Sequence, residues 1–110
     1  MEITATEMNR VVLIAPAGRI DSSNATQLGE AFNTWFSKGK NNLVVDLEKV
    51  DYISSAGLRE LVSALKQARQ EGGDLRLCAP PARVREVLEL AGLTSVFAIY
   101  DTQVLAVGSF

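Results

Sequence analysis

The chain has 110 residues, 11 Lys and Arg against 13 Asp and Glu for a formal charge of −2, and 47% hydrophobic with 22% charged residues, values of an ordinary globular protein. At this size folding buries roughly two-thirds of the unfolded surface, so one domain over residues 1–110 is expected without staples, and neither disorder nor nucleic-acid binding is indicated. The absence of histidine excludes Ser-His-Asp and Cys-His catalysis, imidazole metal ligation and histidine phosphorelay, and the single Cys78 can form neither an internal disulfide nor a cysteine zinc site.

In chain order, Met1-Glu2-Ile3-Thr4-Ala5-Thr6-Glu7 opens acidic and polar, unlike a secretory signal, and within it Glu2 to Thr6 pairs as a weak strand with Val11-Val12-Leu13-Ile14-Ala15 across a turn at Met8-Asn9-Arg10. After Gly18-Arg19-Ile20-Asp21, apolar side chains at Ala25, Leu28, Phe32, Trp35 and Phe36 mark a helix ending near Gly39, its aromatics read as core. Leu43-Val44-Val45-Asp46-Leu47 is a short apolar strand of the kind buried on both faces of a parallel sheet. A second helix follows Ser54-Ser55-Ala56-Gly57, with Leu58, Leu61, Val62, Leu65 and Ala68 at helical spacing and Gly72-Gly73 as its stop.

Leu75 to Ala79 alternates as a strand and carries Cys78 as a small core residue, in keeping with a reducing cytoplasm. Pro80-Pro81 starts a third helix with Val84, Val87, Leu88 and Ala91 on one face and Gly92 at its end. Val96 to Tyr100 reads as a last strand, and Asp101 or Thr102 caps a short final helix through Val104, Leu105 and Val107. The order β-β-α-β-α-β-α-β-α predicts an α/β fold, a small mixed sheet with an antiparallel N-terminal hairpin packed against helices. No apolar run approaches the ~20 residues of a membrane-spanning helix, so a cytoplasmic protein without membrane insertion is expected.

No strand-to-helix turn carries a dinucleotide fingerprint or a P-loop, and no cofactor is implied. Asp46, Glu48 and Asp51 lack a ligand spacing, so no metal site is assigned, and no paired carboxylates suggest acid–base catalysis. What remains is Asp51-Tyr52-Ile53-Ser54-Ser55-Ala56-Gly57-Leu58-Arg59, where a strand's outgoing loop meets a helix, the end of an open α/β sheet at which binding sites gather. Ser54 or Ser55 serves as N-cap; a capping box would need Glu or Gln three residues on, where Gly57 and Leu58 stand instead, which leaves one hydroxyl free. A phosphate there meets unsatisfied N–H groups and the positive end of the helix dipole, with Arg59 four residues past Ser55 on the same side. Without a placed base, the serine reads as a substrate rather than a nucleophile. Leu58 is either the first residue of the core stripe or an exposed apolar contact.

These motifs, in this order and spacing, resemble the STAS domain, and within it the stand-alone anti-sigma-factor antagonists of bacterial partner-switching pathways. The resemblance runs over essentially the whole chain. It rests on Gly18-Arg19-Ile20-Asp21, Leu43-Val44-Val45-Asp46-Leu47, Tyr52-Ile53-Ser54-Ser55-Ala56-Gly57-Leu58 and Gly72-Gly73 before Leu75. It implies a non-enzymatic, phosphorylation-controlled binding protein whose acceptor is the serine two residues before Gly57-Leu58, namely Ser55, and a monomer when free is the default expectation. The commoner family turn has Asp in place of Ser54 and a hydroxyl residue in place of Ala56, which makes Ser54 a second acceptor to consider. The implied partner surface comprises Asp21, Ser22, Ser54, Ser55, Ala56, Gly57, Leu58 and Arg59. Its implied partners are a serine kinase that doubles as anti-sigma factor and a PP2C-like phosphatase. The alternative within the fold is a STAS docking subunit of a lipid-transport or stress-signalling assembly that is not phosphorylated.

Overall fold

The computed structural model describes residues 1–110. Strand β1 (Glu2–Met8) turns through Asn9 and Arg10 into β2 (Val11–Ile20), the two running antiparallel in register from Met8↔Val11 to Glu2↔Ala17. Asn9 adopts φ +57°, a left-handed conformation that asparagine tolerates better than most residues. Then follow α1 (Ala25–Ser37), β3 (Asn42–Asp46), β4 (Val50–Ile53), α2 (Ser55–Gln70) and β5 (Asp74–Cys78). The chain closes with α3 (Ala82–Leu90), a 3-10 turn over Leu93–Ser95, β6 (Ile99–Tyr100) and α4 (Gln103–Gly108). The sheet order is β1-β2-β3-β5-β6, all parallel beyond the hairpin, with β4 pairing parallel to the far end of β2. This is the mixed α/β fold that the element order predicts.

The sequence places a strand at residues 11–15 and a last strand at 96–100, and it shows nothing at 50–53; all three differ in the structure. Strand β2 continues through Pro16 to Ile20 because β1 pairs with it as far as Ala17 and β4 from Gly18 on, while on the edge away from β1 pairing with β3 stops at Ile14 and leaves a gap before Gly18. In a two-residue hairpin the closing pair Met8–Val11 is hydrogen-bonded, so by alternation Pro16, opposite Ile3, turns its missing N–H into that gap. Gly18 has φ +91°, sits at a bulge, and donates its N–H to the Lys49 carbonyl at 2.8 Å. Of the expected strand at 96–100 only Ile99 and Tyr100 pair with β5, because the amides of Val96 and Phe97 are both taken by the Leu93 carbonyl at 3.0 Å, and Phe97 turns into the core at 4% exposure. At the last helix it is Thr102 that caps, accepting from the Leu105 N–H at 3.2 Å.

The larger core cluster gathers Leu28 and Phe32 of α1, Leu61 and Leu65 of α2 and Leu88 of α3 against Ile14, Leu43, Val45 and Leu77 of the sheet. Trp35 and Phe36 pack partly buried against the same cluster, with the Lys38 ammonium over the Trp35 ring, so the aromatic stripe is core. Burying each Leu or Phe contributes about 1.5–3 kcal/mol. A smaller cluster, Val11, Leu13, Val44 and Cys78, lies under Ala106 of α4. There Asp46 is buried and its carboxylate is occupied by the Gln103 side-chain amide and the Glu48 N–H. Burial first, then the neighbouring Asp46 carboxylate, pushes the Cys78 thiol up to about 12. No helix is long and apolar enough to cross a membrane, and no three His, Cys, Asp or Glu side chains gather where they would hold a metal ion.

Candidate functional site

The turn singled out by the sequence is fed by β4 rather than by the apolar strand β3, which corrects the sequence reading: Tyr52 and Ile53 are strand residues paired with Arg19 and Ile20 of β2. Because β2 and β4 run parallel, their outgoing turns lie side by side. The Ser54 N–H donates to the Ile20 carbonyl at 2.9 Å, which ties the Ser54–Ser55 turn to the Asp21 loop.

Ser54 has extended backbone and caps α2: its carbonyl takes the Leu58 N–H at 3.0 Å and its hydroxyl accepts from the Gly57 N–H at 3.4 Å. Ser55, the first helical residue, is exposed and its hydroxyl has no hydrogen-bond partner in the chain. The open question of which serine caps is thus settled by position, and the free hydroxyl is that of Ser55. The helix start also leaves first-turn amides without carbonyl partners and carries the positive end of a 16-residue helix dipole. Ala56 is half-buried, while Arg59 is exposed and makes no ion pair or hydrogen bond within the chain.

Gly57 and Leu58 hold the turn from below. Gly57 is buried so close to the sheet that a Cβ on it would fall 2.7 Å from Ile20 Cγ2 and 2.8 Å from Ile53 Cγ1. Leu58 is 8% exposed and belongs to the main core cluster, so of its two readings the structure has the core one, and its side chain is not part of an exposed contact surface.

On the neighbouring loop, Asp21 Oδ1 accepts from the Ser23 hydroxyl at 2.6 Å and the Ser23 N–H at 3.0 Å, and Oδ2 accepts from Arg19 Nε at 3.0 Å. The Ser23 hydroxyl, then the Ser23 N–H, then Arg19 hold the Asp21 carboxyl below its ordinary value. Asn24 completes the loop, accepting the Asp21 N–H and donating to the Arg19 carbonyl. Ser22 is exposed in the turn before α1. Arg19 and Tyr52 lie within sequence motifs that gave them no role in the site, yet the Arg19 guanidinium lies 4.0 Å from the Tyr52 ring centroid while it binds Asp21. Their partnership depends on β4, so without that strand no sequence signal joins them.

Fold and turn together define a class: a mixed α/β protein whose exposed chemistry gathers in two adjacent strand-to-helix turns, one presenting a free serine and the other a fixed carboxylate. The chain belongs to the STAS domain family, whose model matches residues 2–106. It is 36% identical over 110 residues to BtrV of Bordetella bronchiseptica, named as a candidate anti-sigma factor antagonist, covering 100% of this chain and 95% of that one. It is 32% identical over 87 residues to the anti-sigma-B factor antagonist of Listeria monocytogenes, covering 79% of this chain and 76% of that one. Among solved structures, a candidate anti-sigma factor antagonist of Thermotoga maritima superposes with TM-score 0.92 at 29% identity, covering 97% of this chain and 92% of that one. The fold is also that of the unphosphorylated antagonist SpoIIAA, at TM-score 0.85 and 19% identity over 98% of this chain and 95% of that one.

Proposed function

We propose that this chain is a phosphorylation-regulated anti-sigma-factor antagonist of a bacterial partner-switching pathway, with Ser55 as the acceptor. The observation that carries the reading is the division of labour in the turn: Ser54 is used as the helix cap, while the Ser55 hydroxyl stands exposed and unbonded at the start of α2. The names of the Bordetella and Listeria relatives support the antagonist role. Unphosphorylated, the surface of Ser55, Ala56, Arg59 and the Asp21–Ser22 loop binds a serine kinase that is also the anti-sigma factor, which frees that partner's client. Ser54 is the secondary acceptor, disfavoured because it is less exposed than Ser55 and its hydroxyl already accepts the Gly57 N–H.

Phosphate on Ser55 adds about −1.5 to −2 charges to a surface that must be desolvated on binding. A penalty of about 3 kcal/mol weakens the complex more than about a hundredfold, enough to exchange partners. A PP2C-like phosphatase resets the switch. In this reading residues 1–110 act as one domain and as a binding protein rather than an enzyme, in the cytoplasm and monomeric when free.

Affinities of Ser55→Ala and Ser55→Asp for the kinase that copurifies with the unmodified protein test the proposal. Ser55→Ala is expected to bind as the unmodified protein does and to resist modification, and Ser55→Asp to bind more weakly. Equal affinities would remove the switch.

A further inference from the structure

A groove of about 490 Å³ opens beside the Ser55 turn, between the start of α1 and the exposed face of α2. Its floor and walls include Ser22 and Thr26 on the α1 side and Arg59, Ser63 and Lys66 along α2. Arg59 and Lys66 are both exposed and neither has a carboxylate within ion-pair distance; Arg10, Lys38, Lys49, Arg83 and Arg85 are also unpaired, but Arg59 and Lys66 are two such cations lining one groove. Glu60 also borders the groove, but its carboxylate lies against Gly29 of α1, in the seam between the helices, and pairs with neither cation. Two unpaired cations, with hydroxyl donors between them, therefore share a concave surface that begins at Ala56, the residue after the switch serine.

We infer that this groove extends the Ser55 surface along α2 and receives an acidic, extended segment of the protein partner, its carboxylates held by Arg59 and Lys66. The spacing sets the ligand. Seven helical residues separate the two cations by about 10 Å along the axis, and in an extended chain carboxylates three residues apart span the same distance. The inference rests on the reading of this end as the partner surface. It also links the groove to the modification, because a phosphate on Ser55 lies one helical turn before Arg59 and draws its guanidinium away from the incoming carboxylate.

The probe is an acetylated, amidated peptide of Gly and Ser with aspartates three residues apart, titrated into the isotope-labelled full chain and followed by amide shifts at low salt. Shifts confined to Ser22, Thr26, Arg59, Ser63 and Lys66 are expected. Affinity is expected to fall about tenfold in the Arg59→Gln/Lys66→Gln variant. The Arg83→Gln/Arg85→Gln variant, which removes two other unpaired cations on α3, should leave affinity unchanged. A peptide with asparagine for aspartate should not bind. Equal loss in both double variants, binding of the asparagine peptide, or occupation of the groove by a single-stranded RNA oligonucleotide in preference to the peptide would overturn the inference. If the Arg59→Gln/Lys66→Gln variant loses the peptide while Ser55 is never phosphorylated in cells, the groove stands and the switch falls.

Discussion

Adding one methyl group at Gly57 tests whether the serine turn is held by contact with the sheet. A Cβ there lies 2.7 Å from Ile20 Cγ2 and 2.8 Å from Ile53 Cγ1, where carbon atoms in contact prefer about 3.5–4.0 Å. Both isoleucines are β-branched, no more than 1% exposed, and paired with each other across β2 and β4, so neither can swing aside and the helix start must lift by roughly an ångström. Overpacking of this kind costs about 1–3 kcal/mol, and the better helix propensity of alanine returns at most about 1 kcal/mol. The expected net loss for Gly57→Ala is about 1–2 kcal/mol, read as a lower urea midpoint at unchanged slope and as a melting temperature lower by several degrees. Gly29→Ala is the control, because there the new methyl meets only the flexible carboxylate end of Glu60, which can move into solvent. That variant should be as stable as the parent or gain up to about 1 kcal/mol. A Gly57→Ala protein as stable as the parent, or a Gly29→Ala protein equally damaged, would refute the packing argument.

Leu58→Ala should cost about 2–4 kcal/mol in urea unfolding, since its side chain is core, whereas Arg59→Ala should change stability by less than about 0.5 kcal/mol. Cys78 should resist iodoacetamide in the native protein at pH 8 and react fully in urea. Its folded pKa lies above the unfolded one, so the folded state holds the proton longer, and stability should decline as pH rises from about 9 toward 12, less so in Cys78→Ala. Carboxyl NMR of Asp21 should show a pKa below its ordinary value that rises in Ser23→Ala, the Ser23 hydroxyl being its largest influence. What the lowered carboxyl contributes to the loop is present above the ordinary carboxylate range and lost as pH falls through the Asp21 pKa.

Periodicity made the three longer helices, the hairpin and the central strand legible, because their apolar faces meet a continuous core: Leu28 and Phe32, or Leu61 and Leu65, can point nowhere else. What stayed hidden depends on pairing partners remote in sequence. Strand β4 has four residues, two of them polar-faced, and it is a strand only because residues 18–20 of β2 project beyond β3 to receive it. Missing β4, the sequence reading placed Tyr52 in a loop and left Arg19 without its aromatic and acidic partners. The run at 96–100 misled in the opposite direction, since a 3-10 turn takes the amides that strand pairing would have used. Within the candidate site, the types of Ser54, Ser55 and Arg59 were readable from capping rules, but which serine is left free depends on where α2 begins, and that follows from Gly57 fitting under the two isoleucines. The cation pair of the groove was not readable, because Lys66 becomes distinctive only when the concave surface that it shares with Arg59 is seen.

The central claim is that the exposed Ser55 hydroxyl is the one modified. It is tested most directly by mass-spectrometric phosphosite mapping of the protein isolated from its native cells, as the parent and as Ser55→Ala, together with identification of copurifying proteins. Phosphate is expected on Ser55 and absent from the variant, with a serine kinase accompanying only the unmodified form. An unmodified Ser55 under every growth condition, with a membrane transporter or scaffold accompanying the chain, would contradict it.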